Sequence, residues 1–337
     1  MTGDRDAPER RRIREFLSRS TLVSSDHEVV PLAGDASTRR YFRVVPTAGR
    51  SIVLAVHEGP IEFATLPFVE AADLFRRIPL PVPAVLGHSD PLGILALQDL
   101  GDVTLQAHLG QGGVEPYIDL YREAVELLVR LQRRGAELAD AARMPYRLAF
   151  DVEKLSWELD FFVQHFVEGY ERSTLTAGER AALGGEWQAI AEELSDEPRV
   201  LCHRDYHSRN LMVHDGGLFI IDFQDARMGP NTYDLVSLLR DSYVDVSEPA
   251  LEELVRHFLS LEGDGDPGEF RRRFDLMAVQ RNLKALGTFG SQAAVRGNRA
   301  FVQYIPRTLE YVRANLARYP RFDRLRTLLA AHVPELA

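Results

Sequence analysis

Two aspartates and one asparagine, closely spaced in the second half of the chain, have the residue types that phosphoryl transfer requires. Residues 203–210 read His-Arg-Asp-Tyr-His-Ser-Arg-Asn, and a second aspartate, Asp222, follows a short apolar stretch. A carboxylate such as Asp205 can accept the proton of an attacking hydroxyl group. The side-chain oxygens of Asn210 and Asp222 suit magnesium that is bound to nucleotide phosphates. The spacing therefore predicts a catalytic base and two metal ligands.

A predicted β-hairpin would position these groups. Residues 211–213 and 218–221 are apolar runs, and the turn signal His-Asp-Gly-Gly at 214–217 separates them. Asn210 precedes the first strand and Asp222 ends the second, so we expect both oxygen ligands at the same edge of a small sheet. Each of these residues alone could be a cap, a turn former or a strand end. Their joint spacing favours the catalytic interpretation.

The segment after Asp222 narrows the kind of acceptor. Gly229 and Pro230 are followed almost at once by Asp234, which opens an apolar helix predicted from residue 235. A protein kinase needs a long activation segment at this point, and the chain has no room for one. The short connection favours a small molecule as the acceptor. Asp234 is expected to be the N-cap of the helix, where its carboxylate would satisfy unpaired N–H groups.

These strings resemble a known group of small-molecule kinases, the aminoglycoside phosphotransferase/choline kinase-like family. Three stretches carry the likeness, residues 34–43 (Gly-Asp-Ala-Ser-Thr-Arg-Arg-Tyr-Phe-Arg), 203–212 and 221–241. They are most similar to those of bacterial kinases that phosphorylate the anomeric position of N-acetylmuramic acid and N-acetylglucosamine in cell-wall recycling. The resemblance spans the chain from about Val30 to the C-terminal helices.

The resemblance implies an α+β, protein-kinase-like fold of two lobes. Residues 1–100 would form a small nucleotide-binding lobe with an antiparallel sheet, and residues 101–337 a larger, mostly helical catalytic and substrate-binding lobe. In related folds an aspartate at the position of Asp234 braces the catalytic loop. The resemblance also implies ATP and Mg²⁺ as cofactors and an amino sugar as acceptor, whose anomeric hydroxyl would become a sugar 1-phosphate.

The periodicity of the sequence agrees with such a division. Strands are expected at 28–32, 40–45, 51–57, 84–86 and 93–97, and the early helices at 9–18 and 67–77. From residue 102 onward, helices are expected at 117–134, 154–166, 178–194, 235–242, 249–261, 267–288, 298–316 and 321–331. Within the second of these later helices, Trp157, Phe161 and Phe162 are expected to lie in the core.

Two segments of the first lobe would contact the nucleotide. The residues assigned to this role are Gly34, Ser37, Thr38, Arg39, Gln98 and Leu100. The first four would take the place of a glycine-rich phosphate loop, and the backbone of the last two would meet the adenine edge. Ala55 stands where kinases carry a strand lysine. The similar sugar kinases also lack that lysine, which leaves phosphate neutralisation to magnesium and arginine.

The acceptor pocket is expected between the catalytic loop and the C-terminal helices. The residues assigned to it are His207, Arg209, Gln224, Asp225, Arg240, Tyr243 and Arg281. Arg209 could stabilise charge in the transition state, and Gln224 and Asp225 could bind sugar hydroxyls or the acetamido group. Arg240 or Arg281 would pair with the lactyl carboxylate of muramic acid, since arginine binds carboxylates bidentately. Ion pairs on helix surfaces would explain these later arginines equally well.

Composition narrows the class of protein. A chain of 337 residues is long for one core, and a net charge of −10 argues against a nucleic-acid partner. The one cysteine, Cys202, excludes an internal disulfide and is expected to be a buried, unreactive thiol. The N-terminus lacks an apolar signal segment, and no apolar run would span a bilayer. These properties favour a cytoplasmic enzyme, and the resemblance implies that it acts on ATP and an amino sugar without a membrane or an obligate protein partner.

Three alternatives stay open. The acceptor could be another small alcohol of the aminoglycoside, choline or homoserine type. An aminoglycoside site would need clustered carboxylates, and a choline site an aromatic cage with an acid. The missing strand lysine allows a catalytically inactive nucleotide-binding module, against which the intact Asp205, Asn210 and Asp222 argue. A protein kinase is opposed by the missing activation segment.

Overall fold

The chain divides into two units in a computed structural model that describes residues 7–24, 26–32, 39–110, 112–263 and 265–337. The first unit comprises residues 1–103 and 212–224, and the second comprises residues 104–211 and 225–337. The assignment of nucleotide binding to residues 1–100 and of catalysis and substrate binding to residues 101–337 stays a prediction. Gly34, Ser37 and Thr38 lie outside the described residues.

The helices and strands follow the periodicity of the sequence closely. The strands are β1 (His27–Leu32), β2 (Arg40–Pro46), β3 (Ile52–Val56), β4 (Val85–Ser89), β5 (Ile94–Gln98), β6 (Arg199–Cys202), β7 (Leu211–His214), β8 (Gly217–Ile220) and β9 (Arg227–Pro230). The helices are α1 (Ala7–Arg19), α2 (Pro67–Arg77), α3 (Leu105–Leu109), α4 (Ile118–Glu137), α5 (Met144–Arg147), α6 (Val152–Phe162), α7 (Ala177–Ser195), α8 (Tyr233–Leu239), α9 (Glu248–Glu262), α10 (Pro267–Ala294), α11 (Ile305–Arg318) and α12 (Asp323–Ala330). The first unit contains a five-stranded antiparallel sheet, and the second unit is mostly helical. This arrangement confirms the predicted α+β class.

The first unit is built on a five-stranded antiparallel sheet of order β1-β2-β3-β5-β4. Alternation along β2 and β3 places Phe42, Val44 and Leu54 on the buried face, where they pack with Ile13 and Phe16 of α1. This burial fixes the strand register, since a slip of one residue would move every apolar side chain to the other face. The same register sets Tyr41 opposite Ala55.

The predicted hairpin forms from β7 and β8. Its turn residues Asp215 and Gly216 have φ angles of +51° and +83°. Two consecutive positive φ angles belong to the tight hairpin turn that matches the twist of paired strands, and Asp-Gly is a preferred pair for it. Asn210 directly precedes β7, and Asp222 follows β8 with a φ of +63°. A non-glycine residue in this region is uncommon and occurs where a site requires it.

In the second unit, β6 leads directly into residues 203–210, the predicted catalytic loop. It pairs in antiparallel fashion with β9, and Cys202 lies opposite Arg227. Cys202 is fully buried, and burial raises the pKa of its thiol well above the ordinary value. The thiol is therefore protonated at neutral pH, and the prediction of a buried cysteine is confirmed.

Helix α10 organises the second unit. Its 28 residues are buried over much of their circumference, where they pack against α6, α8 and α11. A Cβ atom on Gly290 would overlap the carbonyl group of His165, in the π-helical segment Val163–Tyr170 that continues α6. The two helices therefore meet at backbone distance. This contact fixes the face of α10 that carries residues 281–289 relative to α6.

Two predictions in this unit are wrong. Trp157 is 53% exposed, whereas Phe162 is fully buried as expected. The helical periodicity of α6 is compatible with burial of both Trp157 and Phe162. The packing of α10 determines which face of α6 is buried, and it covers Phe162 but not Trp157. Asp234 is not the N-cap of α8, because that helix begins at Tyr233 and is preceded by Thr232.

Among the described residues, no helix combines the length and apolar character that crossing a bilayer requires.

Candidate active site

The predicted catalytic loop, residues 203–210, is anchored at its start by Asp234. This fully buried carboxylate accepts hydrogen bonds from the backbone N–H of His203 at 2.5 Å and of Arg204 at 3.0 Å. Burial raises the pKa of Asp234, while the neighbouring His203 and the two N–H donors oppose that shift. Arg204 has a φ of +87° and so needs such anchoring. Asp234 therefore braces the loop, as the family resemblance implied.

A second buried carboxylate, Asp241, holds the far end of the loop. It accepts hydrogen bonds from the backbone N–H of Ser208 at 2.9 Å and from its hydroxyl at 2.6 Å. Its other oxygen accepts from the backbone N–H of Tyr243 at 2.8 Å. Burial raises the pKa of Asp241, against the lowering effect of these donors. The loop is thus anchored on both sides of Asp205.

Asp205 lies among cations. Its Oδ1 accepts a hydrogen bond from Lys284 Nζ at 3.2 Å, and its Oδ2 lies 3.8 Å from Arg204 Nε. Burial alone would raise the pKa of the carboxyl, but Lys284, Arg204 and Arg281 together hold it well below its usual range. The side chain is 27% exposed, so it can be reached. Asp205 is therefore an accessible, ionised carboxylate.

The two predicted metal ligands have their side chains oriented by hydrogen bonds. Asn210 Nδ2 donates to the carbonyl oxygen of Asp205 at 2.9 Å. In the first unit, Gln224 Nε2 donates to Asp222 Oδ1 at 2.8 Å. Amide and carboxylate oxygens are hard donors that fit magnesium, which takes few protein ligands beside substrate phosphates. Among the described residues there is no cluster of three or more His, Cys, Asp or Glu side chains that could hold a metal by itself.

A cavity of about 350 Å³ opens beside Asp205 in the second unit. The catalytic loop, α6, the end of α8 and the middle of α10 contribute its walls. The lining residues that carry charge or an aromatic ring are Trp157, Glu158, Phe161, Arg204, Asp205, His207, Arg240, Asp241, Tyr243, Arg281, Lys284 and Phe289. Four of them are basic and three are acidic. Asp241 holds the loop, and Arg204 and Arg240 are paired with Asp225 and Glu248, which do not line the cavity. The remaining charged side chains are two cations and two carboxylates, so the cavity has no excess of negative charge that would favour a cationic ligand.

His207 lines this cavity as a neutral imidazole. Burial and the nearby Arg281 and Lys284 lower its pKa to about 3, although Asp205 opposes the shift. The ring meets Tyr243 edge-on, with centroids 5.2 Å apart. Its buried Nδ1 has no hydrogen-bond partner among the described residues. A neutral ring nitrogen can accept from, or donate to, a ligand hydroxyl group.

Arg240 and Arg281 also line the cavity, but protein groups occupy both guanidinium groups. Arg240 pairs with Glu248 at 2.7 Å. Arg281 donates to the carbonyl oxygen of Arg204 at 3.0 Å and to Ser237 Oγ at 2.7 Å. Arg281 thereby binds the carbonyl group of Arg204, whose N–H group is bound by Asp234. Binding of a substrate carboxylate by either arginine stays a prediction.

Of the other residues assigned to the acceptor, only Tyr243 lines the described cavity. Arg209 stacks over the Tyr243 ring with its guanidinium carbon 4.9 Å from the centroid. Asp225 is paired with Arg204 at 3.0 Å and is not among the residues that line the described cavity. Gln224 is engaged with Asp222, as stated above. Their contacts with substrate stay predictions.

Of the predicted nucleotide residues, Arg39, Gln98 and Leu100 are described. The charges of Arg39 and Asp222 both act on the pKa of Tyr41, which burial raises, so the arginine and the predicted metal ligand lie near the same phenol. The backbone N–H of Gln98 donates to Ala84, and the carbonyl oxygen of Leu100 accepts from the His214 ring. These two groups are therefore already hydrogen-bonded within the first unit.

The cavity is also lined by residues that were not singled out from the sequence, among them Glu158, Asn282 and Lys284. Glu158 is 1% exposed, and its Oε2 accepts from Gln280 Nε2 at 3.0 Å while Oε1 has no hydrogen-bond partner among the described residues. Asn282 Oδ1 is likewise buried and unpaired within the described part of the chain. Lys284 contacts the catalytic loop at Asp205. Helical periodicity does not distinguish any of these three positions from their neighbours. The composition could have singled out Lys284 alone, because it is one of only two lysines in the chain.

Comparison with known proteins identifies the family of the chain. Residues 28–273 match the model of the phosphotransferase enzyme family. The chain is 34% identical over 311 residues to the N-acetylmuramate/N-acetylglucosamine kinase of Neisseria meningitidis serogroup B, covering 90% of each protein. It is 33% identical to the kinase of the same name from Pseudomonas aeruginosa, covering 90% of this chain and 88% of the relative.

The fold is shared with solved structures of low sequence identity. The choline/ethanolamine kinase family protein from Mesorhizobium loti superimposes with a TM-score of 0.59 at 19% identity, covering 96% of this chain and 99% of that chain. This likeness concerns the fold alone. The family match covers the sheet of the first unit, the catalytic loop and Asp222, and the chain belongs to the phosphotransferase enzyme family.

Proposed function

We propose that this enzyme transfers the γ-phosphoryl group of ATP to the anomeric hydroxyl of N-acetylmuramic acid and N-acetylglucosamine, which yields the sugar 1-phosphate in peptidoglycan recycling. The observation that carries the proposal is Asp205, an ionised and accessible carboxylate on a doubly anchored loop at the edge of a sugar-sized cavity. The names of the relatives support the choice of sugar. The cavity lacks the excess of carboxylates that a cationic acceptor such as choline or an aminoglycoside would need.

The residues of the site have separate tasks in this reaction. Asp205 accepts the proton of the anomeric hydroxyl, which is more acidic than an ordinary alcohol and so needs only a carboxylate base. His207 is a neutral partner for a neighbouring hydroxyl group. Magnesium, bound by Asn210 and Asp222, would neutralise charge on the phosphates of ATP. The anchors Asp234 and Asp241 keep the loop from moving while the phosphoryl group is transferred.

Glu158 is assigned to the hydroxyl or acetamido N–H groups of the sugar. Its Oε1 is buried at the cavity wall, and Lys154 Nζ lies 4.0 Å away, beyond hydrogen-bond distance. This oxygen has no hydrogen-bond partner among the described residues, and a buried acceptor of this kind favours a ligand that donates. We expect Glu158→Gln to raise KM for both sugars about 10-fold, since a hydrogen bond to a charged group contributes about 1.5–3 kcal/mol. Steady-state kinetics with each sugar would measure this change.

The matched control for this substitution is Glu192→Gln on the exposed face of α7. It removes the same charge far from the cavity and should leave KM and kcat unchanged. A Glu158→Gln variant with normal KM and unchanged thermal stability would show that the carboxylate has no contact with the sugar.

Phosphorus NMR tests the proposed reaction directly. Purified protein would be incubated with ATP, magnesium and either N-acetylmuramic acid or N-acetylglucosamine. We expect a new sugar 1-phosphate resonance that couples to the anomeric proton and disappears in Asp222→Ala. Choline, homoserine and kanamycin, tested in parallel, represent the other acceptors. Transfer to one of these and to neither sugar would overturn the assignment, and nucleotide binding without any transfer would favour an inactive nucleotide-binding module.

A further inference from the structure

The use of lysine in this chain is unusual. Of 40 basic residues, only Lys154 and Lys284 are lysines, and the others are arginines. Lys284 lines the cavity beside Asp205, and Lys154 lies over the ring of Trp157, another cavity residue, at 3.8 Å from its centroid. A chain that meets almost every need for positive charge with arginine therefore has one lysine in the wall of this cavity and the other in contact with two wall residues, Trp157 and Glu158.

Lys284 is held in a defined position. It projects from the middle of α10, which close packing fixes against α6, and its side chain is 18% exposed. Its Nζ donates to Asp205 Oδ1 at 3.2 Å. An ammonium group has three N–H donors, so the contact with Asp205 leaves capacity for further acceptors. An attacking hydroxyl must lie within about 3 Å of the same carboxylate to pass its proton to it.

The position of Lys284 matters because phosphoryl transfer needs a cation near the transferred group. The strand that carries a lysine in other kinases has Ala55 at that position, fully enclosed between Tyr41 and Leu95. In the cavity, Arg240 is neutralised by Glu248, and Arg281 binds the backbone of the catalytic loop. Arg204 lies 3.8 Å from Asp205 Oδ2 but pairs more closely with Asp225 at 3.0 Å. Lys284 donates a hydrogen bond to the carboxylate of Asp205 itself.

We propose that Lys284 is a catalytic residue that donates a hydrogen bond to a non-bridging oxygen of the phosphoryl group during transfer. The sugar oxygen forms the new bond to phosphorus, the bond from phosphorus to the bridging oxygen breaks, and ADP leaves with that electron pair. The hydroxyl proton passes to Asp205, while Lys284 keeps its own proton throughout. The identity of the sugar in this scheme rests on the proposed function, but the role of Lys284 applies to any hydroxyl acceptor at Asp205.

The ammonium group suits this task better than a guanidinium group. Lysine presents a compact point charge whose donors can turn from the carboxylate to an incoming oxygen, whereas arginine presents a rigid planar fork. Arg204 and Arg281 already crowd the same carboxylate. We therefore expect Lys284→Arg to retain the fold but to recover only part of the rate that is lost in Lys284→Met.

The experiment compares wild type, Lys284→Met and Lys284→Arg, with Arg324→Met on the exposed surface of α12 as the control for loss of a basic side chain. We would measure kcat and KM for both sugars over a range of pH. In parallel, calorimetry would measure ADP binding with magnesium, with and without aluminium fluoride, which mimics the transferred group. Lys284→Met should lower kcat about 100-fold with both sugars, as for loss of one preorganised donor. It should leave KM for ATP nearly unchanged and abolish the tightening of ADP binding by aluminium fluoride, whereas Arg324→Met should retain the wild-type kcat and the tightening.

Three outcomes would overturn the proposal. A normal kcat in Lys284→Met would remove any catalytic role. A rise in KM for N-acetylmuramic acid alone would make Lys284 a binder of the lactyl carboxylate. A defect that disappears at higher pH would mean that Lys284 only keeps Asp205 ionised. If wild type transfers phosphate to neither sugar, the proposed function fails, and the aluminium fluoride measurement still decides the role of Lys284.

Discussion

Asp205→Asn should lower kcat by about 10²–10⁴-fold, the range found for positioned acid–base groups. Asparagine has nearly the same shape, so the loop anchors at Asp234 and Asp241 remain, but an amide cannot accept the hydroxyl proton. Its uncharged oxygen also pairs more weakly with Lys284. The measurement is steady-state phosphorylation of N-acetylmuramic acid, with nucleotide binding checked by calorimetry.

A surface carboxylate on the same unit provides the control for this variant. Asp160→Asn, on the exposed side of α6, should retain full activity. Because neighbouring cations hold the pKa of Asp205 below its usual range, wild-type kcat should show no acid limb from this group between about pH 5 and 9. Turnover of Asp205→Asn near the wild-type rate would refute its role as the base.

The second large effect is expected from Asp234→Ala. The substitution leaves the backbone N–H groups of His203 and Arg204 buried without their acceptor. Each unsatisfied group costs about 1–3 kcal/mol, and removal of a buried charge offsets part of that loss, so we expect the free energy of unfolding to fall by about 2–4 kcal/mol. Since Arg204 has a positive φ, the loop should also relax and activity should be lost. Urea unfolding and kcat would be measured on the same preparation.

Two further variants make this result specific. Asp234→Asn keeps one acceptor oxygen but turns an amide NH₂ toward a backbone donor, so its stability should lie between those of wild type and Asp234→Ala. Asp119→Ala removes a carboxylate from the exposed surface of α4 and should change neither quantity. Equal stability of Asp234→Ala and wild type would contradict the bracing role of this residue.

The sequence was most informative where the chemistry is local. The catalytic loop, the Asp-Gly turn and the flanking strands lie within one short stretch, and the turn has the backbone angles that Asp-Gly favours. Predicted strand and helix positions in the first unit also hold, because period-two alternation and the proline at the start of α2 are strong local signals.

The cavity could not be predicted in the same way, because its walls come from distant segments. Whether Trp157 is covered depends on where α10 packs, and that is set by close contacts at Gly287 and Gly290. The N-cap of α8 is Thr232, and the carboxylate of Asp234 instead accepts a hydrogen bond from the backbone of His203. This contact joins residues far apart in the sequence, so local patterns do not predict it. Arg240 and Arg281 were selected for their charge, and only the structure shows that Glu248 and Arg204 already engage them.

The placement of the two lysines also makes this cavity chemically addressable. Apart from the α-amino group, Lys154 and Lys284 are the only primary amines of the chain, and both lie at one site. Reductive methylation with ¹³C-formaldehyde would therefore introduce two side-chain probes without labelling any of the surface arginines. Beside the resonance of the methylated α-amino group, one methyl resonance would report on the catalytic carboxylate and one on Trp157, so a spectrum of three lines could follow ligand binding in an enzyme of 38.0 kDa.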